Sequence, residues 1–190
     1  MRSIRTWLMA AALMIPAGAA FASKYSDTIE LFKNAGQSAS FFSNSYGYAV
    51  FPTIGKGGLV VGGAHGSGHV YVHGKYVGDT TMNQLSVGFQ AGGQAYSQII
   101  FFEDKRAFDE FTSGNFAFDA SASAVAITAA AGGSAGTEGA NAGASGGKKD
   151  AKTVGKYYKG TVVFTIVKGG AMYEVSIGGQ KFSYKERKPG

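Results

Sequence analysis

The sequence predicts a mainly β fold of the α+β class, an antiparallel β-sandwich or partly closed barrel with an N-terminal helix and one short helix. β-branched and aromatic runs separated by glycine fill residues 46–102, a pattern typical of strands joined by tight turns. Leu85, Val87, Phe89 and Ala91 alternate with small or polar residues, as in a strand with one buried face. The chain has no cysteine, so packing alone must stabilise the fold.

Two segments have apolar residues at helical spacing. Apolar residues recur between residues 24 and 43 with polar residues between them, which predicts an N-terminal amphipathic helix. Such a helix could lie on a membrane, but packing against its own domain is the commoner use of this pattern. The segment EDKRAFDEF, residues 103–111, begins with acids and continues with apolar residues at helical spacing. It is expected to form the short helix.

The second half of the chain changes in composition. Residues 116–131 are rich in small residues, a composition that suits either a strand or a helix, and we favour a strand. Residues 132–153 contain no large apolar side chain and cannot offset their ordering entropy by burial, which predicts a flexible Gly/Ala/Ser-rich loop. The apolar runs that follow the loop predict a final strand meander.

The first 22 residues have the pattern of a secretory signal peptide. Arg2 and Arg5 precede an apolar run, and Ala20 and Ala22 provide a small-residue cleavage site before Ser23. Residues 23–190 would then form a single domain in the periplasm or outside the cell. Without cysteine the protein cannot be a lipoprotein, and no later segment is apolar enough to span a membrane.

Basic residues concentrate near the C-terminus. Residues 148–190 carry ten basic and three acidic side chains, whereas residues 24–147 carry six basic and nine acidic ones. Clustered lysines favour anionic lipid, polyanionic glycan or nucleic acid. A solvated face that keeps an exported protein soluble would have the same composition.

The sequence patterns that suggest catalysis or metal binding are each incomplete. No glycine-rich turn ends in Gly-Lys followed by Ser or Thr, as a phosphate loop requires. His65, His69 and His73 lie in segments expected to be extended, which puts successive histidines about 13 Å apart, too far to share one metal. Ser67 lacks the Gly-x-Ser-x-Gly elbow because His65 occupies a glycine position. We therefore expect a protein that is not an enzyme, with no metal and no cofactor.

Two glycine-rich segments, GYAVFPTIGKGGLVVGGAHGSGHVYV and LSVGFQAGGQAYSQIIFFEDKRAFDEF, resemble the SYLF family of lipid-binding domains, in its secreted bacterial branch. Family members are similar in their VFP turn, their K-x-G segment and an S-x-G-x-Q-x-G-x-Q signature. In this chain the signature residues are Ser86, Gly88, Gln90, Gly92 and Gln94. The segment GGAMYEVSIGGQKFSY resembles the closing strand pair of the family, so the resemblance covers residues 38–184.

The resemblance implies a compact, mostly β domain that binds acidic phospholipids. Eukaryotic relatives are also associated with phosphoinositides and actin. They resemble A-K-G-x-A and G-P-x-G-R where this chain has SYGYA at residues 45–49 and ITAAA at residues 127–131. Both differences remove a basic residue, which argues against phosphoinositide recognition, and export argues against actin as a partner.

The leading hypothesis is an exported, non-catalytic domain that associates with anionic phospholipid or a membrane surface, with nucleic acid not expected as a partner. Cationic residues would attract headgroups and aromatic residues would insert, although core packing is the commoner role of such aromatics. The alternative is an envelope structural or protein-interaction module without a lipid ligand, whose protein partner is unknown. The lipid-binding candidates are Lys148, Lys149, Lys152, Lys156, Lys159, Phe41, Phe42, Phe116 and Phe118.

Overall fold

The computed structural model describes residues 17–58, 61–87, 94–120, 122, 124–127, 157, 159–168 and 176–188. Within these residues the chain forms three helices and seven strands. In chain order they are α1 (Ala17–Lys33), α2 (Phe41–Asn44), β1 (Gly47–Gly58), β2 (Val61–Val72), β3 (Lys75–Val87), β4 (Gln94–Phe102), α3 (Lys105–Thr112), β5 (Val125–Ile127), β6 (Thr161–Lys168) and β7 (Lys181–Glu186).

The seven strands form one sheet in the order β5-β6-β4-β1-β2-β3-β7. Every neighbouring pair is antiparallel except β5 and β6, which run parallel. The predicted mainly β class is confirmed, and the described strands make a single sheet that is not closed. The predicted final meander is wrong, because β6 pairs with β4 and β5 whereas β7 pairs with β3.

The central strands bury both faces of the sheet. Alternate residues of β1 and β4 enter one of two hydrophobic cores, which define an inner and an outer face. On the outer face, α1 and α2 pack on β1, β4 and β6, so these strands are apolar on both sides. The inner core includes Phe51, Ile54, Met82, Tyr96, Ile100, Phe102, Phe111 and Phe182. The outer core includes Ile29, Phe32, Val50, Ile99, Phe101 and Phe164.

Strands β1, β2 and β3 contain 12, 12 and 13 residues, longer than the short strands that their glycines predict. Gly68 shows why glycine does not end β2. A Cβ atom at Gly68 would lie 2.7 Å from two ring carbons of Phe51 and 2.9 Å from the carbonyl oxygen of Val50. This glycine makes room for the ring of Phe51 on the paired strand β1.

The N-terminal helical region is divided in two. The sequence predicts one helix over residues 24–43, whereas α1 ends at Lys33 and α2 begins at Phe41. Gly36 has a φ of 62°, a conformation that favours glycine and ends helices. The hydroxyl of the buried Ser38 then donates to the carbonyl oxygen of Phe32 at 2.5 Å. This bond fixes the turn that returns the chain to the sheet.

Helix α1 begins inside the predicted signal peptide and continues through the predicted junction between Ala22 and Ser23. The earlier residues of that peptide lie outside the described part of the chain. Among the described helices, none combines the length and apolar character needed to cross a membrane. The signal peptide stays a prediction.

Helix α3 confirms the predicted short helix after β4. The carboxylate of Asp104 accepts from the backbone N–H of Ala107 at 2.8 Å and caps the helix. Within the strand predicted at residues 116–131, Val125–Ile127 forms β5 and Ala117 makes an isolated bridge with Lys181, whereas residues 128–131 lie outside the described part of the chain. The loop predicted at residues 132–153 lies outside the described residues.

Candidate functional site

One end of the sheet carries cations without acids. The described strand residues at this end include Lys56, Lys168 and Lys181 and contain no Asp or Glu. We call this the cationic end, defined by those three lysines. The strand residues concerned are 53–58, 61–67, 81–87, 94–98, 165–168 and 181–183.

Lys56 is the most constrained of the three lysines. It lies near the end of β1, in register with Ala64 of β2 and Gln94 of β4, and its side chain is half-buried. Among the described residues, no hydrogen bond or ion pair reaches its ammonium group. Burial lowers the pKa of Lys56 because water solvates the charged form less well there. An anion at this position would compensate the buried charge.

Lys168 stands on the outer face at the end of β6. Its ammonium donates to the hydroxyl of Thr53 at 2.8 Å. Burial lowers the pKa of Lys168, and the nearby charge of Lys24 on α1 lowers it further. Two cations that repel each other create a positive potential, which attracts anionic groups.

A groove opens on the outer face beside Lys181. One residue from each of four neighbouring strands lies in register here, namely Gly55 of β1, His65 of β2, Asn83 of β3 and Lys181 of β7. With Gly63 and Leu85 they line a cavity of about 580 Å³. A Cβ atom at Gly55 would meet nothing within 4 Å, so the missing side chain leaves open space.

The polar groups of this groove are ordered by hydrogen bonds. His65 Nδ1 donates to Asn83 Oδ1 at 2.8 Å. Gln84 also lines the cavity, but its side chain lies on the inner face, where it donates to the carbonyl oxygens of Ser176 and Gly178 at 3.1 and 2.8 Å and its buried Oε1 has no partner in the described part of the chain. Leu85 is 85% exposed at the edge of the groove. The groove therefore combines a cation, polar groups and an exposed apolar side chain.

The family model described as "Ysc84: Las17-binding protein actin regulator" matches residues 83–188, more than half of the chain. The chain belongs to the SYLF family. Beta cell expansion factor A of Aeromonas veronii, also a SYLF protein, is 30% identical over 156 residues. That match covers 81% of this chain and 51% of the relative, so the chain spans about half the length of this curated relative.

The matched SYLF region includes Lys168 and Lys181 of the cationic end but begins after Lys56. It also includes Gln84 and Leu85 of the groove. Within the described residues no group of three or more His, Asp or Glu side chains is arranged to hold a metal ion. His65 lies on β2 and bonds Asn83, whereas His73 lies in the turn after this strand.

The lysines predicted from the sequence divide into two groups. Lys159 lies in a turn before β6, and its ammonium binds the carboxylate of Asp119 at 2.5 Å. Both side chains of this ion pair are exposed, so the pair is weak and the role of Lys159 in lipid binding stays a prediction. The other four candidates, Lys148, Lys149, Lys152 and Lys156, lie outside the described residues, and their role stays a prediction.

The predicted aromatic residues pack in the two cores. Phe41 lies 5.6 Å from Phe101 between ring centroids, and Phe42 lies 4.9 Å from the same ring. Phe116 and Phe118 both contact Phe182, at 5.8 and 5.5 Å. Core packing, the alternative that the sequence left open, is where the structure places all four side chains.

Sequence analysis missed the three lysines of the cationic end. The signal that could have found them is the absence of carboxylates from the predicted strands over residues 46–78 and 80–102. Lys168 and Lys181 were not singled out, because they are two of ten basic residues between residues 148 and 190. Only strand register brings them to the same end of the sheet as Lys56.

Replacing Lys56 by Met is expected to stabilise the protein at pH 7. The pKa of Lys56 is lowered in the folded state, so its charged form opposes folding until pH approaches the ordinary lysine value of 10.5. The gain should stay below about 1 kcal/mol because solvent still reaches the group. Urea unfolding measures it.

The matched control for this substitution is Lys75→Met, at an exposed position, where little change is expected. The difference between wild type and Lys56→Met should shrink as pH rises, because the folded protein loses this proton before the unfolded chain does. A lower urea midpoint for Lys56→Met would contradict the view that this charge is uncompensated.

Proposed function

We propose that this SYLF protein is exported and binds anionic phospholipid surfaces, without catalysis, through the cationic end of its sheet. The observation that carries the proposal is the group of three lysines on strand ends where the described residues offer no carboxylate. A half-buried lysine without a described partner is costly for a free protein. An anionic headgroup would remove that cost.

Family membership supports the same function. The SYLF family suggests a lipid-binding or actin-related module and is generally non-catalytic. A signal peptide and periplasmic or secreted location, both proposed from the sequence, favour lipid over actin. The exposed Leu85 beside Lys181 would add apolar contact to the electrostatic attraction.

The double variant Lys168→Gln/Lys181→Gln tests this proposal. Each lysine near an anionic surface contributes about 1 kcal/mol, so we expect the variant to bind phosphatidylglycerol vesicles about 30-fold more weakly than wild type. Co-sedimentation at low salt measures the binding. Raising the salt concentration should weaken wild type more than the variant, because screening acts on the charges that the variant has lost.

The matched control is Lys75→Gln/Lys188→Gln, which removes the same net charge from exposed residues at the opposite end of the sheet. It should bind vesicles nearly as well as wild type. Equal losses in the two double variants would mean that net charge alone drives binding. If the wild-type protein does not bind anionic vesicles but forms a stable protein complex, the alternative of an envelope interaction module is favoured.

A further inference from the structure

A second cavity, of about 400 Å³, opens at the end of the sheet opposite the cationic end. It lies where β1 begins, β2 and β7 end, and α3 crosses the inner face. Its aromatic walls are Tyr46, Phe108 and Tyr184, and Glu186 lies at its edge. We call it the aromatic pocket, defined by these four residues.

The aromatic walls of the pocket are held in place by other contacts. The rings of Tyr46 and Phe108 are inclined at 52° with centroids 5.6 Å apart. The backbone N–H of Tyr46 donates to the carbonyl oxygen of Phe102 at 2.9 Å. The hydroxyl of Tyr184 donates to the carbonyl oxygen of Val77 at 3.2 Å. The pocket is thus formed before any ligand arrives, which reduces the entropic cost of binding.

Glu186 is the one charged side chain among the described residues that line the pocket. Glu186 forms no ion pair with any residue that the structure describes. Burial raises the pKa of Tyr184, and the carboxylate of Glu186 raises it further. The ammonium of Lys105, which interacts electrostatically with Tyr46, is held by both carboxylate oxygens of Asp109 at 2.8 and 2.7 Å.

These features select a particular class of cation. Aromatic faces attract cations, and cages of aromatic rings are the usual site for quaternary ammonium groups. A primary ammonium needs several hydrogen-bond acceptors to replace its water, and most of the residues that line the pocket are aromatic or aliphatic. A quaternary ammonium needs none, and its methyl groups match the apolar walls that Val72 and Val77 provide.

We propose that the aromatic pocket binds a quaternary ammonium group, with the rings of Tyr46, Phe108 and Tyr184 facing its methyl groups and Glu186 balancing its charge. A free choline-like solute and the headgroup of a choline phospholipid share this chemistry. The site is separate from the cationic end and does not depend on anionic lipid binding.

Calorimetric titration of the full protein with choline chloride tests the pocket. We expect saturable binding, and at least about tenfold weaker binding of 3,3-dimethylbutanol, the neutral carbon analogue of choline, since the cation–π attraction is absent. Glu186→Gln should weaken choline binding about tenfold. Glu103→Gln, an exposed carboxylate outside the pocket, should leave it unchanged.

A second variant, Tyr46→Leu, checks the aromatic contribution and should weaken choline binding about tenfold while circular dichroism shows a folded protein. Capture by phosphatidylcholine vesicles that Glu186→Gln abolishes would identify the lipid headgroup as the source, and choline binding without such capture would identify a free solute. Absence of choline binding to wild type would overturn the proposal. So would equal affinity for choline and its neutral analogue, or no effect of Glu186→Gln.

Discussion

Replacing Gly68 by Ala is expected to lower the free energy of unfolding by about 3 kcal/mol, the upper part of the range for overpacked cores. The new methyl group would lie 2.7 Å from the ring of Phe51, which is fully buried in the inner core. It would also lie 2.9 Å from the carbonyl oxygen of Val50, a backbone atom that cannot rotate away. Either the ring or the pairing of β1 with β2 must shift.

Gly57→Ala is the matched control, because both glycines lie in the paired strands β1 and β2. A Cβ atom at Gly57 would meet nothing within 4 Å. Alanine there should be neutral or stabilise by about 0.5 kcal/mol, since glycine loses more chain entropy on folding. Urea unfolding of the two variants gives the comparison. Similar stabilities would show that the inner core accepts the methyl group at Gly68.

The class of the fold follows from local sequence patterns. The cap that Asp104 provides at Ala107 depends on neighbouring residues only, so the short helix could be predicted. The alternation around Leu85 predicted a strand, which β3 confirms, but the face was wrong, because Leu85 is 85% exposed and Gln84 is buried. The glycines of β2 were expected to mark tight turns between short strands, but they lie within one strand of 12 residues. Gly68 has a steric role that depends on Phe51 of the neighbouring strand, and composition carries no information on such a contact.

The candidate site depends on register, which explains why sequence analysis missed it. Lys56 and Lys181 are 125 positions apart in the sequence and reach one end of the sheet through the successive pairings of β1, β2, β3 and β7. The same limitation affected β6 and β7, which were predicted as parts of one meander but lie in different parts of the sheet. Long-range pairing is set by packing of the whole domain, not by the properties of one segment.

Replacing Gln180 by Leu is expected to destabilise the protein by about 3 kcal/mol, because it leaves buried polar groups without partners. Gln180 and Gln98 are both fully buried and exchange two side-chain hydrogen bonds of 2.9 and 3.1 Å. Gln180 Nε2 also donates to the hydroxyl of Tyr96 at 3.1 Å. The residue before β7 is thereby joined to the middle of β4 across the inner core.

The double variant Gln98→Leu/Gln180→Leu separates hydrogen bonding from packing. It removes both amides, so only the Tyr96 hydroxyl loses its partner. The free energy of unfolding should therefore fall by less in the double variant than the sum of the losses in the two single variants. Urea unfolding of the four proteins gives the coupling between the two positions. Additive losses would mean that the amide pair contributes no more than two independent side chains. A favourable coupling above about 1 kcal/mol would show that these paired amides hold the segment before β7 against β4 and so keep the inner face enclosed.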